Sequence, residues 1–164
     1  MSMPLDTQRQ PRLNRLHQIL ESDVFSPNRS SHATPSYEQA FAEVIQLLDD
    51  VLRQSDESGH RIDFINEVGV RGKIMDVTSL VGSMRRAIRL QTGAVASFEA
   101  NQFNCYFNAG TGYFANGSFF DADHDDEVTF FVNDERIYLN RHIKRALQEA
   151  ELAIVKSSAP STNL

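Results

Sequence analysis

The feature that most constrains the fold of this chain is a change of hydrophobic period after residue 100. From 101 to 140 apolar and polar residues alternate, as in the run of Phe103, Cys105 and Phe107 with asparagine and tyrosine between them. Alternation at every second residue is typical of β-strands that bury one face. Turn residues separate the alternating runs, at 108–112, 116–117, 121–127 and 133–135. The pattern predicts an antiparallel β-meander of four or five strands.

Outside this region, apolar residues recur at steps of three and four, which is helical spacing. The stripes predict three main helices and a further short N-terminal helix, at 35–54, 76–91, 141–156 and near 12–21. Thr34 and Asp76 are suitable N-cap residues for the first two helices. We therefore expect an α+β fold in which the meander packs against the three main helices.

The length of 164 residues favours one folded domain. Three prolines and a polar composition mark residues 1–34, which we interpret as an N-terminal segment with a short helix. Residues 35–156 then form a single α+β domain. The last residues, 157–164, are polar and we expect a flexible tail.

Composition and charge restrict the classes of partner. The net charge of −6 opposes broad binding to nucleic acid, so a nucleic-acid partner is not expected. The sequence has no run of 18 apolar residues, so we expect no membrane span. The single cysteine, Cys105, excludes an intramolecular disulfide and favours a reducing compartment, which predicts a cytoplasmic location.

The acidic stretch 121–127 is the first candidate site. Asp121, Asp123 and Asp125 match the first three ligand positions of a calcium loop, and His124 lies between them. The sixth position, where such a loop needs glycine, is an aspartate, and the twelfth is a valine. The alternative is a hairpin loop that pairs with basic residues opening the last predicted helix, namely Arg141, Lys144 and Arg145.

The second candidate site is the outer face of the predicted meander. If the apolar face packs on helices, the opposite face carries Tyr106, Phe131 and Tyr138, with Arg136 beside them. Tyrosine, phenylalanine and arginine among polar residues are typical of protein recognition surfaces. The alternative is that a further helix covers this face and makes it part of the core.

No catalytic motif is present, and none of the five histidines has the spacing of metal ligands. The sequence thus favours a non-catalytic cytoplasmic protein that interacts with a protein partner or with itself, as adaptors, chaperones and immunity-type inhibitors do. The alternative is a divalent-metal-binding protein or a metal-dependent enzyme that uses residues 121–127. A divalent cation is the one cofactor that the sequence suggests.

Overall fold

A computed structural model describes residues 3–22, 24–25, 35–70, 72–94, 103–106, 110–113, 119–122, 128–132 and 135–158. Most of these residues are helical. The described part of the chain contains four α-helices, α1 (Met3–Glu21), α2 (Pro35–Glu57), α3 (Val77–Ala94) and α4 (Arg145–Ser158). A π-helical segment, Leu139–Lys144, leads directly into α4.

Five strands of four residues each complete the described elements: β1 (Phe103–Tyr106), β2 (Gly110–Tyr113), β3 (Phe119–Ala122), β4 (Thr129–Val132) and β5 (Glu135–Tyr138). All pairs are antiparallel. Strand β4 lies between β1 and β5, with Phe130 opposite Cys105 on one side and Ile137 on the other. Within the described residues, strands β2 and β3 pair with each other and with no further strand.

The predicted α+β fold, with a four- or five-stranded meander packed against three helices, is wrong. The protein is mostly helical and has a small antiparallel sheet. Strand β1 skips two strands to pair with β4, so neighbours in sequence do not form one meander. Among side chains that the structure describes, the sheet reaches the core only through the hairpin of β4 and β5. A period of two indicates strands, but it does not specify which strands pair.

The apolar stripes predict the helices better than the alternation predicts the sheet. The helices expected at 35–54 and 76–91 are confirmed as α2 and α3, each extended by one turn or less at its carboxyl end. The short helix expected near 12–21 is the second half of α1, which continues through Pro11. The domain limits predicted at residues 34 and 156 stay a prediction, and Thr34 lies outside the described residues.

The core forms where the β4–β5 hairpin meets the helices. The ring of Phe130 stacks on Phe41 of α2, with centroids 4.2 Å apart, and meets Phe25 edge-on at 5.2 Å. In β5 the adjacent residues Ile137 and Tyr138 are both fully buried. Because adjacent strand residues point to opposite faces, β5 is covered on both sides.

Helix α1 belongs to the same core, to which it contributes Leu13, Leu16 and Ile19. An exposed ion pair also joins it to α2, since the Arg15 guanidinium lies 2.8 Å from the Glu43 carboxylate. Of the helices within the described ranges, none has the length and apolar composition needed to cross a membrane.

Candidate functional site

The connection from α2 to α3 contains a loop, residues 65–76, whose two ends meet. The backbone N–H of Val77 donates to the carbonyl of Phe64, with an N···O distance of 3.0 Å. Beside it, the Thr78 hydroxyl donates to the carbonyl of Ile62, two residues before Phe64, at 2.5 Å. Phe64 is buried below the loop. A surface loop that closes on itself over buried residues has the form of an Ω-loop.

An ion pair holds one side of the loop base. The Arg61 guanidinium donates to both carboxylate oxygens of Asp76, which is almost fully buried and ends the 65–76 loop. Asp76 also caps α3, because its Oδ1 accepts the N–H of Ser79 at 3.0 Å. Burial acts to raise the pKa of Asp76, but the hydrogen bonds from Arg61 and Ser79 outweigh it and hold that pKa below its ordinary value.

A buried histidine holds the other side. His142, in the π-helical segment, is fully buried, and its Nδ1 accepts the backbone N–H of Tyr138 at 3.0 Å. Because Nδ1 is an acceptor, Nε2 carries the proton of the neutral ring and donates to the carbonyl of Asn66 at 3.1 Å. In a π-helical segment the side chains point in different directions from those of an α-helix, and this allows His142 to contact the carbonyl of Asn66.

Arg145 completes the attachment of the loop at the start of α4. Its Nη1 donates to the side-chain oxygen of Asn66 at 2.9 Å. Its guanidinium lies over the ring of Phe64, 3.8 Å from the centroid. The loop base is therefore fixed to α3 through Asp76 and to α4 through Asn66. Ile74 is also buried, while most of the other described loop residues are exposed.

The loop backbone turns sharply between its anchors. The N–H of Val68 donates to the carbonyl of Ile65 at 3.0 Å, and Glu67 within this turn has φ of +62°. That left-handed conformation is uncommon for a residue with a side chain. Residues in such conformations persist where the surrounding structure fixes them, and they cluster at binding sites.

The solvent side of the 65–76 loop is apolar. Five large apolar side chains are exposed among the residues that the structure describes, and three of them lie here. These are Ile65, Val70 and Met75, which are 58%, 57% and 59% exposed. Glu67 and Lys73 are exposed beside them. Single exposed apolar residues are ordinary, but three on one short, anchored loop form a local concentration.

The residues predicted for a sheet-face interaction surface lie elsewhere. Tyr138 is fully buried, stacked on His142 with centroids 5.2 Å apart, so it does not contribute to an exposed face. Arg136 is half-buried, with its guanidinium 5.0 Å from the ring centroid of Tyr138. Tyr106 and Phe131 are placed in β1 and β4, but their side chains are outside the description. The surface as a whole stays a prediction.

The acidic stretch is described only in part. The backbone of Asp121 belongs to β3, while Asp123, His124 and Asp125 lie outside the described residues. Within the described ranges, no three side chains of His, Cys, Asp or Glu converge on a site that could hold a metal ion. The metal site at 121–127 stays a prediction.

The structure describes the three basic residues that are expected to pair with the acidic stretch, Arg141, Lys144 and Arg145. The described partners of Arg145 are Glu149, at 2.8 Å, and the Asn66 side chain. Lys144 is exposed and Arg141 is half-buried. Pairing of Arg141 and Lys144 with residues 121–127 stays a prediction.

Few features of the sequence indicate the 65–76 loop. Residues 61–68 have a weak alternation through Ile62 and Phe64, which indicates a short strand, and the structure uses those residues as buried anchors instead. The available signal was Val70 between Gly69 and Gly72, an apolar residue in a stretch with no period.

Comparison with models of known protein families found no match, and neither did comparisons with curated proteins and with solved structures.

Proposed function

We propose that this chain is a non-catalytic, cytoplasmic protein–protein interaction domain of regulatory type, and that the 65–76 loop is its contact surface. The observation that carries the proposal is the presentation of Ile65, Val70 and Met75 to solvent by a loop that is fixed at its base. An anchored loop loses little conformational entropy when a partner binds, so the apolar area that it buries contributes more fully to affinity.

The partner to which we commit is a second copy of the same chain. Among the loop residues that the structure describes, Glu67 is an exposed acidic residue and Lys73 an exposed basic residue, and the sequence adds a second basic residue, Arg71. In a twofold interface each residue of one copy faces the symmetry partner of another, so a loop with both charges can place an acidic residue of one copy against a basic residue of the other. The net charge of −6 opposes close approach of two copies, so a contact loop that also carries basic residues favours their association.

Sedimentation velocity over a wide range of protein concentration tests the proposal on the purified full chain. We expect the wild-type protein to shift from monomer to dimer as concentration rises. The variant with Ile65→Ser and Val70→Ser is expected to remain monomeric with an unchanged circular dichroism spectrum, because both side chains are more than half exposed.

The matched control is Leu152→Ser with Val155→Ser, which removes two equally exposed apolar side chains, 56% and 64%, from α4. It is expected to dimerise like the wild type. A wild-type protein that is monomeric at every concentration would refute self-association. Equal dimerisation of the loop variant and the wild type would refute the assignment of the loop.

A further inference from the structure

A groove with a volume of about 450 Å³ runs between the second half of α2 and the first half of α3. Its size is within the range that accommodates small-molecule ligands. Four arginines line it together with two aspartates and three small residues: Arg53, Arg61, Arg85, Arg86, Asp49, Asp56, Thr78, Ser79 and Gly82.

On the α2 side, arginines and aspartates form a shared ion-pair cluster. The carboxylates of Asp49 and Asp50 are shared by three guanidinium groups. Arg85 lies 2.9 and 2.8 Å from them, and Arg53 lies 3.2 and 3.3 Å from them. Arg12 is 3.5 Å from Asp50.

The most buried of these cations stays charged. The side chain of Arg85 is 18% exposed, and burial acts to lower its pKa. Hydrogen bonds to Asp49 and Asp50 outweigh burial and raise that pKa above its ordinary value. Arg53, by contrast, is 59% exposed at the rim, where its guanidinium can turn toward a ligand.

Arg86 adds a further positive charge from α3. It is exposed, and no other described residue makes an ion pair or hydrogen bond with it. Its Nη1 lies 3.7 Å from the point where a side chain on Gly82 would begin, so the guanidinium extends over the floor of the groove. Arg61 on the far wall is already matched by Asp56 and Asp76.

Gly82 forms part of that floor, in the interior of α3. Glycine weakens a helix interior relative to alanine. Here a Cβ would lie 3.5 Å from Asp49 Oδ1 and 3.7 Å from Arg86 Nη1, which are ordinary contact distances. The packing of the unliganded protein therefore does not require glycine. What glycine provides is open space beside the Arg86 guanidinium.

We propose that this groove binds a phosphate-type oxyanion carried by a small molecule, with Arg86 and Arg53 as its charged ligands and Gly82 as the floor that admits it. Guanidinium groups bind phosphate oxygens through paired N–H donors, and they stay charged in partly desolvated sites. The inference is independent of self-association through the 65–76 loop.

Thermal unfolding with inorganic phosphate as the probe, against chloride at equal ionic strength, tests the site. Binding to the folded state raises the melting temperature by mass action. We expect phosphate to raise the melting temperature of the wild-type protein by several degrees, and that of Arg86→Ala by much less. Arg86 is exposed and has no described partner, so its replacement is expected to leave the fold intact.

The matched control is Arg15→Ala, which removes an exposed arginine of α1 that pairs with Glu43 outside the groove. We expect Arg15→Ala to keep the non-specific stabilisation that phosphate gives any protein because the ion is excluded from the protein surface. Phosphate effects of the same size in the wild type, Arg86→Ala and Arg15→Ala would refute the site. An effect lost only in Arg86→Ala supports it.

Gly82→Ala separates binding from stability. In chloride the variant is expected to melt about 2–4 °C above the wild type, because alanine favours the helix. In phosphate it is expected to gain less than the wild type, because the new methyl group occupies the floor. A variant that gains as much from phosphate as the wild type would refute the assignment of the groove floor.

Discussion

Arg61 donates two hydrogen bonds to Asp76, from Nε to Oδ2 at 2.8 Å and from Nη2 to Oδ1 at 2.9 Å. The same carboxylate accepts the backbone N–H of Ser79 at 3.0 Å. One buried acidic group therefore closes the base of the 65–76 loop and also begins α3. We therefore expect the stability of both the 65–76 loop and α3 to depend on Asp76.

Replacement of Asp76 by alanine is expected to lower the free energy of unfolding by about 2–3 kcal/mol, because α3 loses its cap and Arg61 loses its main partner. Urea unfolding measures this change. Arg61→Ala should cost less, since the cap remains. The loss in the double variant should fall short of the summed single losses by about 1 kcal/mol. Fully additive losses would contradict a direct coupling of the two side chains.

The dependence of stability on pH follows from the same carboxylate. The pKa of Asp76 in the folded protein lies below its ordinary value of 3.8, so the unfolded chain binds a proton first as pH falls. The stabilisation by Asp76 is full above that ordinary value and is lost as pH falls through the folded pKa.

Urea unfolding over an acidic pH series should therefore show the wild type losing stability more steeply than Asp76→Asn. Glu43, whose pKa is lowered by its hydrogen bonds to Arg15, acts in the same direction and is present in both proteins. Parallel pH profiles for the wild type and the variant would contradict the role of Asp76.

His142→Phe is expected to lower the free energy of unfolding by about 2–3 kcal/mol. Phenylalanine keeps the stacked ring but leaves the Tyr138 N–H and the Asn66 carbonyl without their partner. Hydrogen exchange should also become faster in the loop around Asn66. The exposed His60 provides the control, since His60→Phe should lower the free energy of unfolding by less than His142→Phe. Unchanged exchange in His142→Phe would contradict an anchoring role.

The helices could be predicted because their cause is local. In α2 the apolar stripe from Phe41 to Leu52 repeats through several turns, and its members are buried. Asp76 was identifiable as a cap because an aspartate directly before an apolar stripe has that role. The start of the last helix was less predictable, since the π-helical segment Leu139–Lys144 takes the place of its first turn.

The sheet could not be predicted because strand pairing depends on distant contacts. Nothing in the local pattern of β1 indicates that it pairs with β4 rather than with β2. The burial of Tyr138 has a similar cause. Alternation places Tyr138 and Ile137 on opposite faces of β5. The sequence does not show that the π-helical segment covers the Tyr138 face through His142.

The candidate sites depend even more on tertiary structure. In the sequence, Arg85 and Arg86 have the place of favourable charges near the end of a helix, but α3 continues to Ala94 and Arg85 pairs with α2. The groove exists only because two helices meet there. The 65–76 loop was equally hidden, since its significance comes from anchors at Asn66 and Asp76 that no local pattern records.

The hydrogen bond between Val77 and Phe64 means that the chain leaves the core and re-enters it at nearly the same point. A foreign peptide spliced into the tip near Gly69 would therefore lengthen an excursion whose entrance and exit are already joined. Each doubling of such an excursion costs only about 0.6 kcal/mol in closure entropy. The α2–α3 connection can thus accept an epitope or a reporter tag, and such an insertion would also cover the proposed contact surface.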